Sequence, residues 1–166
     1  MRISTIKAKN IIKFSESLRL TGYRCAAGKI TNGYGHTRTA RLGETITAAK
    51  AEYLLDNDIE VVEIQLNAVL DKCSISMNQF DALVSLVFNI GIGRFLQSSL
   101  LKLIKVNPDD EAIAFQFARW IYGGDGQNNG KDDDMDGRID EAGELRRLPG
   151  LVIRRQKESD LYFLKP

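Results

Sequence analysis

Apolar positions recur at helical spacing in the first stretch of the chain. Ile6, Ile11, Ile12 and Phe14 follow Ser4 and Thr5, either of which can cap a helix over residues 4–17. That period is lost over residues 22–36. There Gly22, Gly28, Gly33 and Gly35 punctuate Tyr23, Ile30, Thr31 and Tyr34, a pattern of short strands and tight turns. Helical spacing returns behind Thr47, a capping residue followed by good helix formers from Ala48 to Leu55. A second helical stretch carries on from it, with Ile59, Val62, Ile64, Leu66 and Leu70 as its apolar positions. Asn78 can cap a helix containing Phe80, Leu83, Val84, Val87 and Phe88; being apolar on more than one side, it is predicted to be central and buried. Short helices are predicted at 98–105 and 109–122, and a last one from Pro149 to Phe163. The reading is α+β: a small N-terminal sheet lobe, then a larger helical lobe, with no long internal repeat.

A length of 166 residues fits one domain, 1–166, whole or divided into two lobes, and a hydrophobic fraction of 43% is enough for a packed core. The net charge of +1 hides an asymmetry. Residues 125–144 hold eight acidic and two basic side chains, a net of −6, which leaves +7 on the rest. A moderately basic body suits an anionic polymer. Nucleic acid is the weaker candidate, because no run clusters Lys and Arg with stacking aromatics. No apolar stretch reaches the length of a membrane span. Lys7, Lys9 and Lys13 interrupt the apolar residues of the N-terminus, so no signal peptide is expected. Cys25 and Cys73 do not form a CxxC pair and are read as two thiols.

The most informative stretch runs from Glu16 to Thr37. Glu16 falls near the end of a predicted helix, where the partial negative charge of the helix terminus disfavours a carboxylate. With apolar Leu18 and Leu20 close by, this location favours the protonated acid that cleavage of a glycosidic bond requires. On spacing alone the commoner alternative is an exposed Glu that ends a helix.

The segment resembles the signature of the phage lysozymes, the endolysins of glycoside hydrolase family twenty-four. Their pattern is Glu, eight residues, Asp or Cys, five residues, Thr, then a Gly-Tyr-Gly-His-Thr type ending. Glu16, Cys25 and Thr31 stand at those spacings, followed by Gly33-Tyr-Gly-His36-Thr37. Further matches occur at Asn78–Ser85, Phe88–Gly91, Phe117–Trp120 and Leu148–Arg155, so most of the chain outside about 123–147 is covered. The resemblance implies a lysozyme-like fold with an active-site cleft between the lobes. Within it, Glu16 is the general acid, and Thr31 helps hold a water or the sugar. Cys25 stands where many members carry Asp. His36 makes a structural interaction beside the site, Phe88 and Asn89 lie on a helix facing the substrate, and the three are expected to form the substrate-binding set.

Two positions depart from the family pattern: Ser17 replaces a usual Gly and Asn32 a usual Ile. Ser17 is tolerable if its backbone is helical; Asn32 puts a polar amide where an apolar β-branched residue is expected. Cys25 leaves the mechanism open. A second group in a glycosidase activates water or acts as nucleophile. Cys25 serves as a thiolate only if Arg24 or Lys29 lowers its pKa; otherwise it shapes the site while Thr31 positions the water.

Between Trp120 and Leu148 the family usually has a short connection, and here an acidic insertion occupies 123–147. Asp132, Asp134, Asp136 and Gly137 match positions one, three, five and six of a calcium-binding EF-hand loop, with Arg138 offering a carbonyl at seven and Asp140 at nine. Position twelve is Gly143, and Glu144 falls one residue late. A second register starts at Asp125 and ends at Asp136. The loop is expected to bind Ca²⁺ in a structural or regulatory role; the alternative is a self-solvating acidic run.

The function expected is hydrolysis of the β-1,4 bond between N-acetylmuramic acid and N-acetylglucosamine in bacterial peptidoglycan, ending in host-cell lysis, by a monomer needing no cofactor for catalysis. A lytic transglycosylase acting on the same bond, and a non-catalytic wall-binding module, are the alternatives. Without an export signal, the enzyme is expected to be made in the host cytoplasm and to reach the wall through a lesion made by a separate holin-type protein, as the resemblance implies.

Overall fold

Residues 1–25, 28–123 and 146–165 are described by a computed structural model of the chain. The first helix, α1 (Ile6–Glu16), starts at Thr5, whose hydroxyl accepts from the Lys7 amide. The residues before it are tied down by buried carboxylates. Ser4 donates its amide (2.7 Å) and hydroxyl (2.5 Å) to Glu63, and Thr5 donates its amide (2.7 Å) and hydroxyl to Asp81. Thr5 thus caps one helix while binding another, and this fixes the angle at which α1 enters the fold.

A two-stranded antiparallel hairpin follows: β1 (Arg19–Arg24) and β2 (Ile30–Gly33), with Tyr23 opposite Thr31. A loop crosses β1 closely. The Gly22 amide donates to the Glu44 carbonyl (2.8 Å), and the Ile46 amide donates to the Leu20 carbonyl (3.0 Å). A Cβ on Gly22 would sit 2.0 Å from the Arg41 carbonyl oxygen, so only glycine permits this crossing.

The helical stretches predicted behind Thr47 fuse into one long helix, α2 (Ala48–Val69), buried along Ala51, Leu55, Ile59, Val62 and Leu66. Next comes α3 (Met77–Ile90), central and buried as expected. Its cap is Ser76 rather than Asn78. Ser76 and Gln79 form a reciprocal capping box, which satisfies two backbone donors where Asn78 would satisfy one. Asn78 instead accepts from Lys7 Nζ (2.7 Å) and donates to the Leu164 carbonyl (2.8 Å).

A short helix that the sequence pattern does not predict, α4 (Ile92–Leu96), buries Phe95. It leads into α5 (Ser99–Val106), capped by Ser98. The helix expected over 109–122 is only α6 (Ala112–Ala118). The Asp110 carboxylate accepts from the Ala112 amide (2.9 Å) and delays the start. At the other end, the backbone is claimed by pairing of β3 (Tyr122–Gly123) with β4 (Arg146–Arg147), and by the Leu148 amide donating to the Ile121 carbonyl (2.9 Å). The last helix, α7 (Pro149–Phe163), has Pro at its first position, where no amide is needed. It packs on α3, α1 and α6.

The core is one cluster around α3, containing Phe80, Leu83, Val84 and Leu86 with Ile12, Leu55, Leu66, Phe95, Phe117 and Tyr162. No disulfide joins Cys25 to Cys73. No helix among the described residues is long and apolar enough to cross a membrane. The acidic segment, with Asp132, Asp134, Asp136, Arg138, Asp140 and Glu144, lies outside the described residues.

Candidate active site

Glu16 is the last residue of α1, at the point where the helix gives way to the hairpin. Its side chain is 24% exposed, so it is neither a free surface carboxylate nor sealed in the core. The next residue sets its direction. Ser17 has φ 56° and ψ 144°, so the backbone there is not helical, and the condition on which serine would be harmless fails. The family's usual glycine adopts this conformation at lower cost.

One oxygen of Glu16 is held by a buried guanidinium. Arg154, on α7, donates from Nη1 to Glu16 Oε1 at 2.5 Å. Arg154 is itself 2% exposed and fully engaged. Its Nε donates to Glu158 Oε1 (3.0 Å) and its Nη2 to the Ser85 carbonyl (3.0 Å), while the Ser85 hydroxyl donates to the same Glu158 oxygen (2.6 Å). Arg155 lies beside them, with Nη1 2.7 Å from Glu158 Oε2 and Nη2 donating to Asn89 Oδ1 at 2.5 Å. Burial pushes the Glu158 carboxyl up against the pull of the two arginines, and burial also pushes the Arg155 guanidinium down to about 10.

The other oxygen of Glu16 faces the hairpin lobe. A Cβ on Gly35 would lie 3.5 Å from Glu16 Oε2, and Gly35 has φ 92°. Gly35 in turn lines a cavity of about 360 Å³ with Thr37, Arg38, Asp58, Val62 and Phe88. Side chains from the hairpin lobe, α2 and α3 therefore meet in a hollow that adjoins Glu16 through Gly35.

The other residues predicted for the site take different positions. Cys25 and Thr31 lie on the hairpin directly after Glu16. Cys25 sits at its turn, where its amide donates to the Lys29 carbonyl (2.9 Å), and Thr31 sits on β2, 5% exposed, with its hydroxyl donating to the Lys29 carbonyl at 3.3 Å. His36 is 4% exposed and both ring nitrogens are used inside the protein. Nδ1 lies 2.7 Å from Asp58 Oδ2, and Nε2 receives the Thr39 amide at 3.1 Å. Nε2 is thus the acceptor, which puts the proton on Nδ1, facing Asp58. Phe88 is half-buried and lines the cavity, whereas Asn89 is exposed and tied to Arg155. Asn32 is 2% exposed, and its Oδ1 has no hydrogen-bond partner, so the polar substitution on β2 is not compensated.

Arg154 was not marked by sequence reasoning. The available signal is the pair Arg154-Arg155 with Glu158 one helical turn on, within the family-like segment Leu148–Arg155.

A helical lobe and a small hairpin lobe, with a carboxylate at the helix-to-hairpin junction beside a hollow between them, define a protein of the lysozyme class. The phage lysozyme family profile matches residues 13–158. The endolysin of Acyrthosiphon pisum secondary endosymbiont phage 1 is 40% identical over 152 residues, 92% of each chain. Among solved structures, the muramidase domain of SpmX from Asticaccaulis excentricus is similar at a TM-score of 0.80 and 31% identity, over 99% of both chains. The endolysin from Escherichia coli O157:H7 phage FAHEc1 is similar at 0.79 and 29% identity, over 99% of this chain and 97% of that one. The chain belongs to the phage lysozyme family.

Proposed function

We propose that this phage-lysozyme-family protein is an N-acetylmuramidase, hydrolysing the β-1,4 bond between N-acetylmuramic acid and N-acetylglucosamine in bacterial peptidoglycan. The observation that carries the reading is Glu16, held by Arg154 through Oε1 and neighboured at Oε2 by Gly35, which lines the inter-lobe hollow. In this reading Glu16 protonates the leaving glycosidic oxygen, Thr31 holds the attacking water, and Cys25 shapes the hairpin around it. A positioned proton donor is worth about 10²–10⁴-fold in rate. Glu16→Gln keeps the size of the side chain and removes the acid, so wall clearing should fall by about that factor. The products of the wild-type reaction discriminate further. A reducing muramic acid end supports hydrolysis, and an anhydro ring would make the protein a lytic transglycosylase. Clearing by neither protein would point to a wall-binding module, and equal clearing by both would remove Glu16 as the acid.

The biological setting proposed is lysis of the bacterial host from within, with a separate holin-type protein opening the path to the wall. The acidic segment is proposed to bind Ca²⁺ through Asp132, Asp134, Asp136, the Arg138 carbonyl, Asp140 and Glu144. Its many oxygens suit a large, flexible coordination sphere better than the tight octahedron of Mg²⁺. A ligand that binds only the folded state stabilises it by about 2.7 kcal/mol at a hundredfold excess over Kd. Calcium should therefore raise the melting temperature, chelator should lower it, and Asp134→Ala with Asp136→Ala should erase the difference. Identical melting curves in calcium and chelator would leave a solvated acidic loop.

A further inference from the structure

The hollow beside Glu16 contains a cation that the proposed acid chemistry does not use. Arg38 lines it together with Gly35, Thr37, Asp58, Val62 and Phe88. The Arg38 side chain is 63% exposed, and its ion pair to Asp58 Oδ1 is 3.5 Å long, at the outer limit of a hydrogen bond. Asp58 is committed elsewhere, since its Oδ2 is 2.7 Å from His36 Nδ1. Asp58 therefore tethers Arg38 loosely at the rim and leaves most of the guanidinium donors directed to solvent. The floor beneath is different in kind, formed by the apolar surfaces of Val61, Val62 and Phe88.

This combination is poorly matched to an unsubstituted N-acetylglucosamine chain, which carries no charge for Arg38 to meet. It matches a short substituent with an apolar body and a carboxylate end. In the wall polymer, that chemistry belongs to the lactyl group of muramic acid and to the peptide attached through it. A guanidinium engages a carboxylate in a planar, two-pronged fashion that an ammonium does not reproduce. We propose that Arg38 is a specificity-determining residue, pairing with a carboxylate on the lactyl-peptide arm while the apolar floor receives the body of that arm. Gly35 is shared by this hollow and by Glu16 Oε2, so an arm bound here would place the adjoining sugar beside the acid. The inference rests on the wall-polymer reading, and binding can test it without turnover.

The experiment is calorimetric titration of the Glu16→Gln protein, with and without Arg38→Ala, Arg38→Lys or Arg38→Gln. Three probes are used: a neutral chitotriose; the disaccharide N-acetylglucosaminyl-N-acetylmuramic acid with a free lactyl carboxylate; and the same disaccharide carrying a dipeptide. Both acid-bearing probes, or one of them, should bind tighter than chitotriose. Arg38→Ala and Arg38→Gln should weaken the preferred probe about tenfold, the size of one exposed charge-assisted contact, and leave chitotriose unchanged. Arg38→Lys should recover only part of the loss, and added salt should shrink the difference. Whichever acid-bearing probe shows the effect identifies the source of the carboxylate. Equal weakening of all three probes, no weakening of any, or no preference for the acid-bearing probes would overturn the assignment. In wild type, Arg38→Ala should raise KM on peptide-bearing wall fragments about tenfold with kcat changed less than about twofold, as expected for loss of uniform binding. If Glu16→Gln proves catalytically unimpaired, the muramidase reading fails while these binding comparisons still stand.

Discussion

The two sides of Glu16 are constructed differently. The α7 side is charged and closed: Arg154, Arg155 and Glu158 are each no more than 2% exposed, and the Ser85 hydroxyl and carbonyl help fill the remaining hydrogen-bonding capacity of Arg154 and Glu158. The hairpin side is uncharged at the point of contact and open: Gly35 presents bare backbone at φ 92°, and the cavity begins behind it. In the proposed role of proton donor, Glu16 needs a fixed direction and also access to substrate. Buried ion pairs provide the direction, because a guanidinium fork tolerates little displacement. The missing side chain at Gly35 leaves room beside Glu16 Oε2 on the side of the hollow.

The largest expected effect comes from breaking the closed side. Arg154→Ala removes the partner of Glu16 and one of two cationic partners of Glu158, leaving a buried carboxylate short of compensation. Breaking a buried pair by removing one partner costs about 3–5 kcal/mol. Urea denaturation should show a loss of that order, and the folded fraction should clear walls poorly because Glu16 has lost its orientation. Arg154→Lys should be little better, since an ammonium cannot reach Glu16, Glu158 and Ser85 in the same fork. A loss under about 1 kcal/mol would mean that the charges are not what holds this side.

The two sides also differed in how far the sequence revealed them. Glu16, Cys25 and Thr31 lie within one short stretch, so their spacing was readable, and the glycine punctuation foretold the hairpin correctly. The helical frame was readable from apolar period. α4 and the shortness of α6 were not, because Gly91 at φ 81° and the pairing of Tyr122–Gly123 with Arg146–Arg147 are tertiary choices. Arg154 was hidden for a related reason. Its partners come from α1, α3 and its own helix, 138 residues away in the case of Glu16, and nothing local to a charged helix marks which arginine turns inward. His36 illustrates the limit from the other direction. Its identity is conspicuous in the sequence, yet only the fold turns both of its nitrogens to Asp58 and Thr39.

The smallest expected effect lies on the hairpin side, at the joint that turns the chain away from Glu16. Ser17 holds φ 56° with ψ 144°, a region in which a Cβ is costly, at about 1–3 kcal/mol for a residue so constrained. Among the described residues, no side-chain hydrogen bond of Ser17 offsets that cost. Ser17→Gly removes the strain. It also adds freedom to the unfolded chain, which opposes the gain by roughly 0.5–1 kcal/mol. The net should be a stabilisation of about 1 kcal/mol, seen as a melting temperature roughly 2–4 °C higher for a chain of this size. Ser17→Ala is the matched control: it keeps the Cβ and should melt within about 1 °C of the parent, if the strain belongs to the backbone and not to the hydroxyl. A glycine variant that melts lower than the parent would show that the turn is held without strain and that only the entropy term remains. Activity separates the two sides once more. The ion pair to Arg154 fixes the carboxylate independently of the joint, so Ser17→Gly should leave wall clearing within about twofold of the parent, whereas a loss approaching that of Arg154→Ala would place the control of Glu16 at the joint instead.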